Sequence, residues 1–255
     1  LSVGLEAQAD ADKVAQMLNI QRSADGFFLE AHPKLRPLDF ATDGIHLCGT
    51  CHSPQCLHER AYQALGAASR ALILLMRGSV VSEAITAEVN PSLCIACGNC
   101  VQVCEYGAVK IESSSAEVNP LLCKGCGVCS VECPASAITM HHFTDDQISA
   151  MIKAALETPP VDGEVKILAF FCNWCAYAGA DTAGVSRFQY QPNVEIIRTM
   201  CSGRVSEEHI LQAFLLGADG VLVGGCHPGT CHYVSGNLKA EKRVNKIRKL
   251  LRDAG

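Results

Sequence analysis

Eight cysteines in the middle of the chain have a spacing that suits inorganic clusters. The segment CIACGNCVQVCEYGAV, residues 94–109, carries four cysteines in the pattern C-x2-C-x2-C-x3-C. The segment CKGCGVCSVECPASAI, residues 123–138, repeats that pattern. Thiolates are soft ligands, and three of them this closely spaced can cover one face of an iron–sulfur cube. The spacing therefore predicts two [4Fe–4S] clusters.

We expect each cluster to take its last ligand from the other copy of the repeat. In bacterial two-cluster ferredoxin domains, which this repeat resembles over residues 86–142, the fourth cysteine of each run binds the other cluster. Cluster one is then held by Cys94, Cys97, Cys100 and Cys133, and cluster two by Cys123, Cys126, Cys129 and Cys104. The copies also share Glu-Val-Asn-Pro before the cysteines and short β-type segments, AVKI and AITM, after them. A pair of zinc sites is disfavoured, because zinc fingers use two CxxC pairs instead of this run.

Residues beside the cysteines are expected to tune the two clusters. Gly98, Gly125 and Gly127 should let backbone N–H groups approach the inorganic sulfurs, where no Cβ would fit. Pro134 follows the last cysteine of the second copy, but Glu105 stands at the matching position of the first. A carboxylate near one cube predicts a slightly lower reduction potential for that cube than for its twin.

Five more cysteines lie at or near the ends of three predicted strands. KILAFFC, VEIIRTMC and GVLVGGC are apolar segments that end in Cys172, Cys201 and Cys226, and Cys175 and Cys231 lie in the loops that follow. Strands alternating with helices predict a small parallel α/β sheet, and such sheets place their sites at the carboxyl ends of the strands. Five thiols at one edge suit one cluster, with one thiol in excess.

The same region resembles a known family. Residues 165–255, with FCNWCAYAGAD, MCSGRV and GGCHPGTCHY, are similar to the delta subunit of methyl-viologen-reducing hydrogenase. The resemblance implies a [2Fe–2S] cluster and docking of a hydrogenase or another dehydrogenase, such as formate dehydrogenase, onto heterodisulfide reductase. It leaves open which four cysteines bind, and we expect Cys175 to be the spare. A zinc or redox CxxC site at Cys172 and Cys175 is the alternative.

Two helices and a linker complete the C-terminal part. SEEHILQAFLLG predicts a helix with Ser206 as its N-cap, and residues 143–164, which end in the Pro/Gly-containing stretch TPPVDGEV, are expected to form a linker helix. The last helix, NLKAEKRVNKIRKLLRDAG, is basic and amphipathic. Its cations form either a solvated face or a docking surface for an acidic partner. They are Lys239, Lys242, Arg243, Lys246, Arg248, Lys249 and Arg252.

The first 80 residues carry the features of a flavin-binding segment. DADKVAQMLN and HERAYQALGAASRALILLM predict helices, and GFFLE and GIHLCGT predict strands that precede a glycine turn. GFFLEAHPKLRPLDFATDGIHLCGT and AYQALGAASRAL resemble the C-terminal end of the thioredoxin-reductase-like FAD domain in the A subunit of heterodisulfide reductase. The resemblance places Gly49 and Thr50 along the ribityl chain of FAD and backbone N–H groups near Gln63 and Ala64 at the ring. Thr50 replaces the usual acidic residue, and no GxGxxG fingerprint is present, so FAD is expected to be shared with a missing N-terminal part.

Three thiols near this turn have two interpretations. CGTCHSPQC contains Cys48, Cys51 and Cys56 among several histidines. They predict either a metal site completed from elsewhere or buried thiols that line the flavin pocket.

Composition limits the classes of protein that fit. Sixteen cysteines in tight clusters, without an export signal, indicate metal binding in a reducing compartment, and hence a cytoplasmic protein. A net charge of −5 argues against nucleic acid as a partner, and the apolar run LILLM is too short to span a membrane. The chain starts with Leu1, so we expect a fragment or a processed product.

The sequence thus predicts a multidomain protein of mixed α/β and α+β class. Its domains are the end of a thioredoxin-reductase-like FAD domain (1–80), a 2[4Fe–4S] ferredoxin domain (86–142), the linker helix and a [2Fe–2S] domain (165–255). The resemblance implies an electron relay from a hydrogenase or formate dehydrogenase to FAD. It further implies the B and C subunits of heterodisulfide reductase and ferredoxin as partners in flavin-based bifurcation coupled to the disulfide CoM-S-S-CoB. The alternative is a non-catalytic adaptor that docks a dehydrogenase to another reductase.

Overall fold

The computed structural model of the chain describes residues 4–18, 20–31, 36–40, 44–79, 84–157, 165–229 and 231–254. The chain forms two compact units, Leu1–Ser82 and Glu83–Gly255. Residues 158–164, most of the predicted TPPVDGEV connection, lie outside the described residues. No helix among the described residues is long and apolar enough to cross a membrane.

The first unit is helical, with little β-structure in its described part. It contains α1 (Ala11–Leu18), a 3-10 helix (Gly49–Cys51) and α2 (Leu57–Arg77), so both predicted helices are confirmed. The predicted strands GFFLE and GIHLCGT are wrong. Each makes only one isolated antiparallel bridge, at Phe28 and at His46, because no neighbouring described segment runs beside it for more than one residue.

The cysteine repeat folds as two interleaved antiparallel pairs of strands with two short helices. The elements are β1 (Ala87–Val89), α3 (Asn99–Val103), β2 (Val109–Glu112), β3 (Ser115–Val118), α4 (Val128–Val131) and β4 (Ile138–Met140). Strand β1 pairs with β4 and β2 pairs with β3. Each pair therefore combines one strand from each copy of the repeat. The predicted strands AVKI and AITM are confirmed.

The shared Glu-Val-Asn-Pro segment forms the end of a strand followed by a turn. The Asn90 side chain accepts from the N–H of Ser92 at 3.0 Å, and Asn119 accepts from Leu121 at the same distance. Each Asn also accepts, through its backbone carbonyl, from the N–H of the first cysteine of its run. An Asn followed by Pro favours such a turn, because the side chain replaces a backbone acceptor and Pro fixes φ. The motif therefore sets where each run of cysteines begins.

The remaining residues form a parallel sheet with helices. The elements are α5 (Asp145–Glu157), β5 (Ile167–Cys172), α6 (Ala176–Val185), β6 (Val194–Thr199), a 3-10 helix (Ser202–Arg204), α7 (Glu207–Leu215), β7 (Gly220–Gly224) and α8 (Gly236–Ala254). The strand order is β6-β5-β7, with both pairings parallel. All three predicted strands are confirmed, and the Ser206 hydroxyl caps α7 by accepting from the N–H of His209.

Helix α5 belongs to the core of this sheet layer. Ile148 and Ile152 are fully buried and pack with Leu168 and Phe170 of β5 and with Ile247 of α8. Burying side chains of this size contributes about 1.5–3 kcal/mol each. Most of the segment predicted as a linker helix is therefore a packed helix of the C-terminal domain.

Candidate metal centres

The predicted ligands of cluster one surround a common cavity. Cys94, Cys97, Cys100 and Cys133 all line it, and the apolar side chains of Ile111 and Ile138 are part of its wall. The first three thiols come from one copy of the repeat and the fourth from the other. This donor set and cavity fit a [4Fe–4S] cube, which needs four thiolates and an apolar shell.

Backbone N–H groups donate to the sulfurs across the repeat. The N–H of Ala116 lies 3.4 Å from Cys94 Sγ, and that of Ala87 lies 3.5 Å from Cys123 Sγ. These two alanines occupy matching positions of the two copies, and each donates to the first cysteine of the other copy. Such N–H···S bonds favour the reduced cluster, because they stabilise the added negative charge. The interleaved strands thus place equivalent donors at both sites.

The glycines beside the cysteines are also required by the fold of the chain itself. Gly98, Gly125 and Gly127 all adopt left-handed φ values, which a side chain disfavours. A Cβ on Gly125 would lie 2.3 Å from the carbonyl oxygen of Ile85, and one on Gly127 would lie 2.3 Å from Cδ of Arg204. A Cβ on Gly98 would meet no described atom within 4 Å. Protein atoms therefore exclude a side chain at two positions, and conformation alone favours glycine at the third.

Two of the thiols predicted for cluster two are shielded from water by the surrounding protein. Burial raises the pKa of Cys126 to about 11, and it also raises the pKa of Cys129. Only the thiolate binds iron, so a cation must offset the cost of deprotonation at these positions. A cluster of ferrous and ferric ions supplies that positive charge when it binds.

Glu105 is not the isolated charge that the sequence suggested. Hydrogen bonds from Ser235 and from Lys239 lower the pKa of Glu105, and the Lys239 Nζ lies 3.0 Å from its carboxylate. The ammonium of Lys239 neutralises most of the field of the carboxylate. The lower potential expected beside Glu105 stays a prediction, and Lys239 is a group that opposes it.

The five C-terminal cysteines converge at the carboxyl ends of the strands. This five-thiol group consists of Cys172, Cys175, Cys201, Cys226 and Cys231; all are buried except Cys175, which is partly exposed. The sulfurs of Cys172 and Cys226 are 3.7 Å apart. Cys201 and Cys226 each come two residues after the end of a strand, as expected for a site at this edge.

The start of α8 lies directly against the group. A Cβ on Gly236 would lie 2.2 Å from Cys201 Sγ and 3.8 Å from Cys231 Sγ, so only glycine permits this approach. The N–H of Gly203 donates to Cys201 Sγ at 3.3 Å. The N-terminus of a long helix favours thiolates through its unpaired N–H groups and its dipole. Gly236 was not among the predicted site residues, although a glycine at the first position of a long helix can indicate a close approach of another group.

Hydrogen bonds between sulfurs link the members of the group. Bonds with Cys175 and Cys226 lower the pKa of Cys172, and a bond with Cys201 lowers that of Cys231. The bond with Cys172 raises the pKa of Cys226. Cys175 therefore lies within contact of two other thiols, and only its greater exposure distinguishes it as a candidate spare.

Cluster two and the five-thiol group are neighbours. Cys126, a predicted ligand of cluster two, packs against the buried cysteines of the group, as does Tyr106. Tyr106 also donates its hydroxyl to the carbonyl of His232, at 3.4 Å. Burial raises the pKa of Tyr106 well above its ordinary value, so the phenol stays neutral. Nothing in the sequence pattern pointed to this residue.

The side chain of Arg204 contacts both the ferredoxin module and the C-terminal domain. Its side chain is 2% exposed and donates to the carbonyl of Phe143 and to Asp145, at 3.0 and 2.8 Å. The same side chain packs on Gly127, next to Cys126. A buried guanidinium needs several acceptors, and these supply them. Arg204 thereby fixes the position of the second run of cysteines relative to the sheet.

Three of the seven cations predicted to line the last helix are paired inside the chain. Lys239 bonds Glu105, Arg243 donates to the carbonyls of Gly203 and Val205, and Lys246 lies 2.8 Å from Glu207. These three support the fold, which corrects both interpretations, the solvated face and the docking surface, for these residues. The remaining cations are Lys242, Arg248, Lys249 and Arg252.

The predicted flavin contacts are brought together only in part. The N–H of Gly49 donates to Oε1 of Gln63 at 2.8 Å, and Gly49 has a φ of +73° with no described atom within 4 Å of a Cβ placed on it. The space beside the Cα of Gly49 is therefore not filled by any described atom. Gln63 and Ala64 lie inside α2, where backbone N–H groups are bonded to the preceding turn. The predicted donation of their N–H groups to a flavin ring is thus corrected.

The three thiols beside this turn make local contacts. Cys51 donates to the carbonyl of Cys48 at 2.9 Å, and Cys56 is the N-cap of α2. His52 bonds Glu30 at 2.8 Å and Gln63 at 3.3 Å. Across the described part of the chain, no three His, Cys, Asp or Glu side chains are arranged to hold a single metal ion.

Comparisons with known proteins agree with these modules. The family described as methyl-viologen-reducing hydrogenase, delta subunit, matches residues 167–255, and the 4Fe-4S binding domain matches 87–110 and 116–139. The iron–sulfur D subunit of the F420-non-reducing hydrogenase of Archaeoglobus profundus is 51% identical over 92 residues, which are 36% of this chain and 67% of that protein.

Other relatives match the whole chain. The A subunit of the ferredoxin:CoB-CoM heterodisulfide reductase of Methanosarcina mazei is 43% identical over 255 residues, which are all of this chain and 32% of that protein. The A subunit of the ferredoxin/F(420)H(2)-dependent CoB-CoM heterodisulfide reductase of Methanosarcina acetivorans is 44% identical over the same lengths. The chain thus spans about a third of the length of these relatives.

The two cysteine runs and the matching domains define an iron–sulfur protein. The chain belongs to the family of heterodisulfide reductase A subunits, and its C-terminal domain is of the hydrogenase delta-subunit type.

Proposed function

We propose that this chain relays electrons between a dehydrogenase partner and a flavin through three iron–sulfur clusters. The five-thiol group holds the entry cluster, a [2Fe–2S]. Cluster two and then cluster one follow, and the flavin receives the electrons. The observation that carries the proposal is the contact of Cys126 and Tyr106 with the five-thiol group. Electron transfer is fast only between closely placed clusters, so two cysteine sets in contact favour a direct step between them.

The donor set of the five-thiol group supports a cluster with thiolate ligands. Four thiolates are needed for a [2Fe–2S] cluster. The group provides four buried thiols, Gly203 donates its backbone N–H to Cys201 Sγ, and Gly236 lets the start of α8 approach the same sulfur. When bound, such a cluster accepts and releases one electron. The residues of this chain exclude water, hold the thiolates and set the potential.

A second feature supports fixed spacing between the centres. Lys239 connects the C-terminal domain to the ferredoxin module with a charge-assisted hydrogen bond to Glu105, and the side chain of Arg204 packs on Gly127 of that module. Such bonds are short and about twice as strong as neutral ones. A relay needs constant distances between clusters, whereas a hinge here would interrupt the flow of electrons.

The turn at Gly49 supports the proposal that a flavin lies at one end of the relay. We propose that the longer protein binds FAD and that Gly49 and Thr50 contribute backbone to that pocket. The side chain of Gln63 holds Gly49 in position, as the 2.8 Å bond between them indicates. Helix α2 exposes Leu65, Leu75 and Met76, which suits a surface covered by another part of a larger assembly.

The names of the relatives support a proposal about the assembly. Those proteins are named for ferredoxin, for the CoB-CoM heterodisulfide and for a hydrogenase. We propose that this chain works with a hydrogenase or formate dehydrogenase and with the B and C subunits of heterodisulfide reductase. Disulfide reduction takes place on those partners, and bifurcation at the flavin sends the other electron to ferredoxin.

The test is to interrupt electron transfer along the relay without dissociating the complex. The full-length protein is purified without oxygen together with its partners, as wild type, C104A and C133A. Cys104 is a predicted ligand of cluster two and Cys133 of cluster one. Both variants should lose electron flow from donor to flavin and one cube's share of the iron, while the partners still co-purify. Normal flow through both variants would refute the relay, and loss of the partners with retained flow would identify an adaptor.

A further inference from the structure

Trp174 lies against the five-thiol group with a buried N–H. Its ring stacks on His232, with 3.7 Å between ring centroids and 21° between planes, and Tyr233 packs on it edge-on. Trp174 also packs against the buried cluster formed by the four buried cysteines of the group and Tyr233. Among the described residues, no acceptor lies within hydrogen-bond reach of its Nε1, which is shielded from solvent.

A buried donor of this kind calls for an acceptor. An N–H removed from water without a new partner destabilises the fold, and nearly all buried polar groups are bonded. The indole N–H can only donate, so the missing group must be an acceptor. The stack on His232 holds the ring in one orientation. The atoms that a bound cluster would add beside it are sulfides and thiolate sulfurs, which are acceptors with negative charge.

We propose that Trp174 donates from Nε1 to a sulfur of the cluster held by the five-thiol group, and that this bond raises the cluster's reduction potential. The inference rests on the proposed function, because it requires a [2Fe–2S] cluster at that position. The reduced cluster carries one more negative charge than the oxidised one, so the hydrogen bond stabilises it more. Trp174 is therefore a tuning residue for electron entry.

The direct test uses the only tryptophan in the chain. Full-length protein is produced with tryptophan carrying nitrogen-15 at the indole position alone, which labels one atom, Trp174 Nε1. Pulsed electron paramagnetic resonance (EPR) of the reduced [2Fe–2S] cluster should show coupling to this nitrogen. A sample labelled only at the tryptophan backbone nitrogen is the control for through-chain coupling. A reduced cluster without coupling to the indole label would overturn the proposal.

A substitution tests the consequence for the potential. W174F keeps an aromatic ring and removes the N–H, so the cluster should bind its electron about tenfold more weakly, a shift of about 59 mV to lower potential for a one-electron couple. H232F is the matched control, since it keeps a stacking ring and leaves the indole N–H in place. Its potential should equal that of the wild type. Equal potentials in W174F and wild type would contradict the tuning role.

The proposed cluster and the proposed role of Trp174 are refuted by different results. A wild-type chain without the visible spectrum of a [2Fe–2S] cluster refutes the proposed function at this group, whatever Trp174 does. A normal spectrum with no indole coupling refutes only the role of Trp174. If W174F fails to retain its cluster, the labelled wild-type protein decides the question.

Discussion

Lys239 of the last helix bonds Glu105 of the ferredoxin module, with 3.0 Å between its Nζ and the carboxylate oxygen. The same Nζ lies 3.1 Å from the carbonyl of Val103 and 2.8 Å from the Ser235 hydroxyl. Glu105 directly follows Cys104, the ligand that the first copy of the repeat is predicted to lend to cluster two. This ion pair therefore joins two domains and sets the charge next to one cluster.

We expect K239M to lower the reduction potential of cluster two and leave that of cluster one unchanged. Methionine keeps most of the bulk but removes the cation, so the Glu105 carboxylate acts on the cluster uncompensated. The effect should be on the order of 1 kcal/mol at the dielectric typical of a protein surface. An EPR-monitored redox titration measures it. The double variant E105Q/K239M, which has neither charge, should return to near the wild-type value, and a double variant that stays low would contradict this origin.

We expect D145N to destabilise the C-terminal part of the chain. A hydrogen bond from His209 and the charge of Arg204 hold the pKa of Asp145 at about 2, below its ordinary 3.8. A lowered pKa means that the ionised form stabilises the fold above pH 3.8, and that this contribution is lost as the pH falls through about 2. At neutral pH, the asparagine amide oxygen can still accept from Arg204, but the buried guanidinium loses its carboxylate counter-ion. Because Asp145 is largely exposed, the cost should be only about 1–2 kcal/mol.

Urea unfolding at neutral pH checks that expectation. D146N is the matched control, since Asp146 lies in the same first turn of α5 and is exposed. Equal free energies of unfolding for D145N and D146N would show that the contact of Asp145 with Arg204 contributes nothing to the stability of the fold.

The two copies of the repeat should respond differently to the same substitution. G98A introduces a side chain at a left-handed residue with open space around it, which costs about 1–2 kcal/mol. G127A has the same strain and also drives a Cβ to 2.3 Å from Arg204, which adds about 1–3 kcal/mol. Denaturant unfolding and the iron retained under mild chelation should both rank G127A as the weaker protein. The reverse order would mean that Arg204 moves aside without cost.

Substitutions in the five-thiol group should separate ligands from the spare cysteine. We expect C226S to lose the visible bands of the C-terminal cluster, because Cys226 is buried and bonded to other thiols of the group. C175S should keep those bands, since Cys175 is the most exposed member. The iron content of the two variants, measured beside the spectra, should differ by about two atoms per chain. Loss of the bands in C175S would make Cys175 a ligand and another cysteine the spare.

The cysteine spacing and the strand ends were readable in the sequence because both depend on local pattern. A run such as KILAFFC is apolar enough to identify β5, and Ser206 has the side chain that a helix N-cap requires. The four cysteines predicted for cluster one line one cavity because three of them share a single turn-and-helix segment. Features of this kind need few long-range contacts.

Other features depend on contacts between distant segments. Arg204 looked like an ordinary polar residue, and its burial follows from the packing of the ferredoxin module against the sheet. The pairing of Glu105 with Lys239 joins residues 134 positions apart, so the predicted effect of Glu105 lacked its main partner. GFFLE has the composition of a strand, yet only its Phe28 makes an isolated bridge to another described segment.

The pairing of β1 with β4 places the two ends of the ferredoxin module side by side. Ala87 lies opposite Met140 in this ladder, so the chain leaves the module about 5 Å from where it entered. A module with adjoining ends behaves as a cassette, because inserting or removing it hardly changes the distance that the flanking chain must cover. Such a cassette could be gained between two existing domains in a single genetic event, without rebuilding either neighbour.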